Sequence, residues 1–282
     1  VSREDIIAIG EAFEDQIFID LPCIPGPGRE VKTDRFVKTI GGGVVITAIA
    51  ASGFQLRCRV ISGLSPLAVK RLKNEGITVQ NLRKPDEPYA ISEALSTRQD
   101  RSFVTYNGIH SQLEDRLIGP ASRARASHVH LAFCPGNCGL WVDAVQSLHD
   151  RGITTSWDFG WNESLLKDPR FPELLGAVTY LFINEQEALL FSGCKPLAEA
   201  VDYWPKHAQN TILKLGSKGS RWLCPEFRVD APPIQVEALD TTGAGDAFNG
   251  GFLAGIIREK ILDNAWNLAI SQEAFPPAQP VE

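Results

Sequence analysis

The sequence predicts an α/β protein with a mainly parallel central sheet, helices on both faces and a small β-sheet lid. Two patterns carry this reading. Short runs that are apolar on both faces alternate with helix-period segments along most of the chain, as expected of strands buried on both sides of a parallel sheet. Two stretches, 11–40 and 89–108, interrupt that rhythm because neither has a helical period.

The elements follow in order. IIAIG (6–10) reads as the first strand, and 43–52 as a helix of small residues with Gly53 placed to end it. LRCRVISG (56–63) is the next strand, and Leu67–Asn74 a short helix stopped by Gly76. SHVHLAF (127–133) is a strand, followed by a helix in which Trp141, Ala144, Val145 and Leu148 keep i, i+3, i+4, i+7 spacing and Gly152 stands at the C-cap. ITTSWDFG (153–160), VTYLFIN (178–184) and NTILKLG (210–216) are further strands, separated by the helices EQEALLFSG (185–193) and PLAEAVDYWPKH (196–207). Residues 89–108 resemble a hairpin around a polar RQDR turn. The predicted organisation is therefore a core of 1–10, 41–88 and 109–282, with 11–40 and 89–108 forming the lid over the carboxyl ends of the core strands, where open α/β sheets bind ligands.

Composition narrows the function classes. The chain has 282 residues, 28 Lys and Arg against 34 Asp and Glu, and a net charge of −6. That balance argues against a nucleic-acid surface, which needs clustered basic residues. No run approaches the ~18 apolar residues of a membrane span, and VSREDIIAIG lacks the apolar core of a signal peptide. Six scattered cysteines then read as reduced thiols of a cytoplasmic protein. The absence of any methionine leads us to expect residues missing from the sequence as given, so contiguous motifs carry more weight than long spacings.

The most informative stretch is DTTGAGDAFNGGFLAG (240–255). Gly243, Ala244 and Gly245 allow a tight turn with converging N–H groups, and a helix begins at once, so amides and helix dipole point at one anion site. Asp246 stands in that first turn. A carboxylate beside bound phosphate is repelled by it, so its presence there needs a chemical reason. Accepting the proton of a hydroxyl that attacks phosphorus supplies one. Anion hole and base together are the minimum equipment for phosphoryl transfer. Gly250, Gly251, Ala254 and Gly255 leave the helix thin enough for close packing, and Asn249, one turn beyond Asp246, is a candidate for substrate contact.

DTTGAGDAFNGGF resembles the second signature of the ribokinase (PfkB) family of carbohydrate kinases, and weaker likenesses run along most of the chain. IGEAFEDQIFIDLP (9–22) resembles the family's opening strand, whose Asp, here Asp15, binds substrate hydroxyls. Gly41, Gly42 and Gly43 before a small-residue helix resemble the first signature, where sugar approaches the backbone. NEQE (184–187) resembles the N-x-x-E motif, implying that Asn184 and Glu187 organise magnesium and triphosphate through water; a capping box is the local alternative. LKLGSKGS (213–220) is similar to the strand and turn beside the nucleotide, which implicates Lys214, Gly216 and Gly219. DFGWN (158–162) loosely resembles the D-x-N-x-R element near the nucleotide phosphates. The resemblance implies a ribokinase-like three-layer α/β/α core, ATP and Mg²⁺, a sugar acceptor, Asp246 as base, and Thr242 beside the nucleotide. It also implies a monovalent cation, K⁺, near Asp240 and Thr242, while the lid's sheet edge suits a homodimer.

Departures accompany the likeness. Where the first signature usually has a sugar-binding Asn, Ile46 stands with Thr47 beside it, and 62–76 looks shortened. A nucleoside or vitamin-precursor kinase, or a non-catalytic nucleotide- or sugar-binding homologue, is the alternative. His128, His130, Cys134 and Cys138 raise the thought of zinc, but their spacing fits no common zinc pattern and a core strand running into a turn explains them.

Overall fold

The structure, a computed structural model, describes residues 3–234 and 243–258. Its central sheet has nine strands in the order β13-β12-β11-β10-β9-β8-β1-β4-β5. These are β1 (Glu4–Gly10), β4 (Cys58–Ser62), β5 (Thr78–Asn81), β8 (Ala126–Ala132), β9 (Thr154–Asp158), β10 (Tyr180–Asn184), β11 (Thr211–Lys214), β12 (Ser220–Leu223) and β13 (Arg228–Ala231). All pairings from β5 across to β11 are parallel; β12 and β13 extend the sheet antiparallel.

Side-chain alternation sorts the core into two layers. Ile7 and Ile9 of β1 join Trp141, Trp157 and Leu181 under α3 (Leu113–Ser122), α4 (Cys138–His149), α5 (Phe171–Ala177), α6 (Glu185–Ser192) and α7 (Leu197–His207). Ile6 and Ala8 face the other way, with Phe182 and Phe252, beneath α1 (Gly43–Gly53), α2 (Pro66–Asn74) and α8 (Ala244–Ile257). The thin faces of α1 and α8 meet closely: a Cβ on Gly250 would come within 2.5 Å of the Thr47 carbonyl oxygen.

A separate four-stranded sheet has the order β3-β2-β6-β7, with β2 (Phe13–Leu21), β3 (Arg35–Gly41), β6 (Ile91–Thr97) and β7 (Arg101–Tyr106). It leaves the core at the end of β1 and returns through β3 straight into α1. The β6–β7 hairpin turns through Arg98–Asp100, as its pattern predicts.

Several elements escape the sequence pattern: the exposed four-residue β5, the β12–β13 extension, α3, and α5, which is short and has Pro near its start. Gly53 does not terminate α1 by a left-handed turn. It is the last helical residue, and the positive φ falls two positions later, at Gln55.

Candidate active site

Strand order reverses between β1 and β8, which places the ligand-binding crevice at the carboxyl ends of these strands. The register brings the strand ends together. Gly10 pairs with Ala132, Ala132 with Asp158, Asp158 with Phe182, and Asn184 with Lys214. Residues distant in sequence thus share one edge.

Along this edge the three consecutive glycines form a track. Gly41 lies against the Asp15 carboxylate, so any side chain there would collide with it. Gly42, at φ 95°, rides on the Glu11–Ala12 backbone, where a Cβ would come within 2.5 Å of the Glu11 carbonyl. Gly43 faces Asp246, with 3.2 Å between its would-be Cβ and Oδ1. Two peptide units, at most ~7.6 Å between Cα atoms, therefore link a residue against Asp15 to one against Asp246. Burial pushes the Asp15 carboxyl up to about 6.

Asp246 stands in the first turn of α8, after Gly243 in the left-handed conformation (φ 76°). The first-turn amides of a helix have no intrahelical acceptors and are free for an anion. Thr47 donates to the Asp246 carbonyl at 3.0 Å, tying α8 to α1. Ile46 packs over the turn itself, 2.5 Å from where a Cβ on Gly243 would lie.

Beneath this turn lies a cation. The Lys214 Nζ sits 3.2 Å from a would-be Cβ on Gly245 and 2.7 Å from Asp158 Oδ2. Asn249 is fully buried; its Nδ2 donates to Asp158 at 2.9 Å and its Oδ1 accepts from Lys214 at 3.4 Å. Expected at the substrate, Asn249 instead spends both polar atoms on holding this pair. Burial works against the charges of Asp158 and Lys214, but their mutual attraction wins: the Asp158 carboxyl lies below its ordinary value and the Lys214 ammonium above. Burial and the nearby Asp158 charge push Asp246 up to about 7, with Lys214 opposing.

Asn184 and Glu187 form a reciprocal capping box on α6: Asn184 Oδ1 accepts from the Glu187 amide at 2.9 Å and Glu187 Oε2 from the Asn184 amide at 2.8 Å. The Glu187 carboxyl, almost fully buried, rises to about 7 through burial and the Asp158 charge. Gly216 has open space around it, whereas Gly219 lies against the Ala231 backbone of β13 and serves the local packing. Asp240 and Thr242 lie outside the described residues. His128 and His130 are tied to Thr154 and Ser156 by 2.8 Å hydrogen bonds. Among the described residues no three His, Cys, Asp or Glu side chains are grouped to hold a metal.

Comparison with known proteins agrees with this fold. The model of the pfkB family carbohydrate kinases matches residues 3–271. The chain belongs to the PfkB family of carbohydrate kinases. Members of this family are phosphotransferases with an alcohol group as acceptor, which makes this chain a kinase. It is similar to a probable fructokinase-4 of Arabidopsis thaliana, 23% identical with 90% of this chain and 83% of the relative covered. A ribokinase of Haemophilus influenzae is 24% identical, with 93% and 89% covered. The fold matches that of adenosine kinase from Sinorhizobium meliloti, with a TM-score of 0.80 and 20% identity over 96% of this chain and 93% of that one.

In this PfkB-family chain the residue that motif reading undervalues is Asp158. Its signals are the loose likeness of DFGWN and a carboxylate at the carboxyl end of β9, TTSWD, beside the crevice.

Proposed function

We propose that this PfkB-family kinase transfers the γ-phosphoryl group of ATP to a hydroxyl of a small sugar, most suitably a primary one. The observation that carries the proposal is the Asp246 carboxylate, held at the N-terminus of α8 and facing Gly43. An acceptor lying along the glycine track between Asp15 and Asp246 presents a hydroxyl to the base. Asp246 takes its proton as the oxygen attacks phosphorus, and the Gly243–Gly245 amides stabilise charge on the moving group. Lys214, fixed from below by Asp158 and Asn249, adds positive charge at the same turn.

The donor set fits Mg²⁺, which keeps several waters and leans on phosphate oxygens, needing few protein carboxylates. Glu187, backed by Asn184, would hold it through water. Bound there, the ion would neutralise phosphate charge. Gly216, exposed beside the end of β11, suits a nucleotide approach.

The division into core and lid follows the two sheets. On this reading the small sheet is the lid. A homodimer through it draws support from Phe103, Val104 and Tyr106, each more than half exposed on its edge strand β7. A cytoplasmic setting draws support from six free cysteines, and no helix among the described residues is long and apolar enough to cross a membrane. K⁺ near Asp240 and Thr242 remains a proposal on the motif alone.

ADP release from MgATP, measured over a panel of sugars and nucleosides, tests the reading. Turnover with a sugar is expected. Turnover restricted to nucleosides would move the assignment to the alternative acceptor class, and ATP binding with no acceptor turned over would favour a binding protein.

A further inference from the structure

Strand register aligns Thr39 of β3, Asp15 of β2 and Ser92 of β6 directly across the small sheet. Residues opposite one another on neighbouring strands share a face, so the three form one polar rung. The Thr39 hydroxyl is shielded from water and has no hydrogen-bond partner. Buried polar groups normally have one, and a ligand would supply it.

Phe13 lies two residues before Asp15 on the same face of β2, and the His110 ring packs edge-on against it with centroids 4.8 Å apart. The His110 side chain is 2% exposed, and neither ring nitrogen has a well-aligned hydrogen-bond partner, the Ala12 backbone acting on the ring only weakly against its burial. Its Nδ1 lies 3.9 Å from Glu11 Oε1, a contact too long for a hydrogen bond. Glu11 in turn supplies the backbone on which Gly42 rides. An unpartnered hydroxyl and a weakly partnered imidazole therefore lie near Asp15, at the start of the glycine track.

We propose that Thr39, Asp15 and Ser92, with Glu11 and His110, form a cradle that selects a neutral polyhydroxylated acceptor over its phosphorylated counterpart. The proposal rests on the kinase reading and names its substrate class. Hydroxyls donate to Asp15 and Glu11, and both donate to and accept from Thr39, Ser92 and a neutral His110. A phosphoryl group would instead bring negative charge against two carboxylates. The cation nearest in the register, Lys38, projects from the opposite face and is paired with Glu14 at 2.7 Å. Burial holds the His110 ring down at about 4, so it is neutral near pH 7.

Calorimetry without nucleotide tests the cradle with D-ribose, D-fructose and adenosine as neutral probes, against ribose 5-phosphate and fructose 6-phosphate. At least one neutral probe binds, tighter than the phosphorylated sugars. Thr39→Val weakens that binding about tenfold, while Thr39→Ser restores it and the KM for ATP stays unchanged. Glu11→Gln raises the KM for the acceptor more than it lowers kcat. Tighter binding of a sugar phosphate, no binding of any neutral probe, or wild-type affinity in Thr39→Val overturns the proposal. ADP release reports separately on catalysis. Binding through the cradle with no ADP release would leave the cradle intact and remove the kinase reading.

Discussion

Gly43 leaves just enough room for Asp246: a methyl group at position 43 would stand 3.2 Å from the Asp246 Oδ1 and 2.7 Å from the Ala132 Cβ. A glycine of the α1 N-terminus and the carboxylate of the α8 N-terminus, 203 positions apart, thus share one wall of the crevice. Gly43→Ala must push Asp246 or Ala132 aside. Because small misplacements of reacting groups cost about 10²-fold in rate, a loss of one to two orders of magnitude in kcat is expected. Steady-state kinetics with a thermal melt will show whether activity falls while Tm changes little.

The Lys214–Asp158 pair is nearly buried, with side-chain exposures of 11% and 12%. Deleting one member leaves an uncompensated buried charge, costing about 3–5 kcal/mol. Asp158→Asn and Lys214→Met should each lower urea-melt stability on that scale, and the double variant should recover much of the loss. Activity should not return with it, because the cation beneath Gly245 is gone. Additive destabilisation in the double variant would refute the pairing.

Raised carboxyls make both activity and stability depend on pH in a definite direction. Asp246 moves from 3.8 to about 7 and Glu187 from 4.5 to about 7 when the chain folds. Between those limits the folded protein binds more protons than the unfolded chain, so stability falls as pH rises through that window. A base must be unprotonated, so kcat/KM falls as pH drops below about 7. The inflection belongs to the interacting carboxylates together. Removing the Asp158 charge should move it downward, which a pH–rate profile of Asp158→Asn will test.

The capping box on α6 allows its structural and metal roles to be separated. Gln can replace Glu at the third helical position of such a box, so Glu187→Gln should keep Tm close to wild type. It should nonetheless raise the Mg²⁺ concentration for half-maximal activity several-fold. Asn184→Ala loses the cap and about 1 kcal/mol of stability. An unchanged Mg²⁺ requirement in Glu187→Gln would reduce NEQE to a helix start.

The parts of this site legible in the sequence are those written contiguously. Gly243–Asp246 shows a turn, a helix start and a carboxylate within four residues, and the helix it opens lies where the motif puts it. Apolar strands alternating with helices likewise revealed a parallel sheet, because burial on both faces leaves a local mark. The meeting of Asp158, Lys214 and Asn249 leaves none, although each stands in a stretch that the motifs single out. These residues lie 56 and 91 positions apart and meet only because β9, β11 and α8 end at one edge. Local pattern therefore pointed Asn249 at the substrate. The Thr39–Asp15–Ser92 rung depends on strand register in the same way, which no single strand specifies. Ile46 reads in the sequence as a lost hydrogen bond; in the fold it is a cover on Gly243.

The central claim is that Asp246 takes the proton from the acceptor. The most direct test is Asp246→Asn, with kcat measured on the best acceptor of the panel and ATP affinity measured by calorimetry. General-base loss costs about 10²–10⁴-fold, so kcat should fall by that factor with ATP affinity within a few-fold of wild type. A kcat near the wild-type value with the same acceptor would contradict the account.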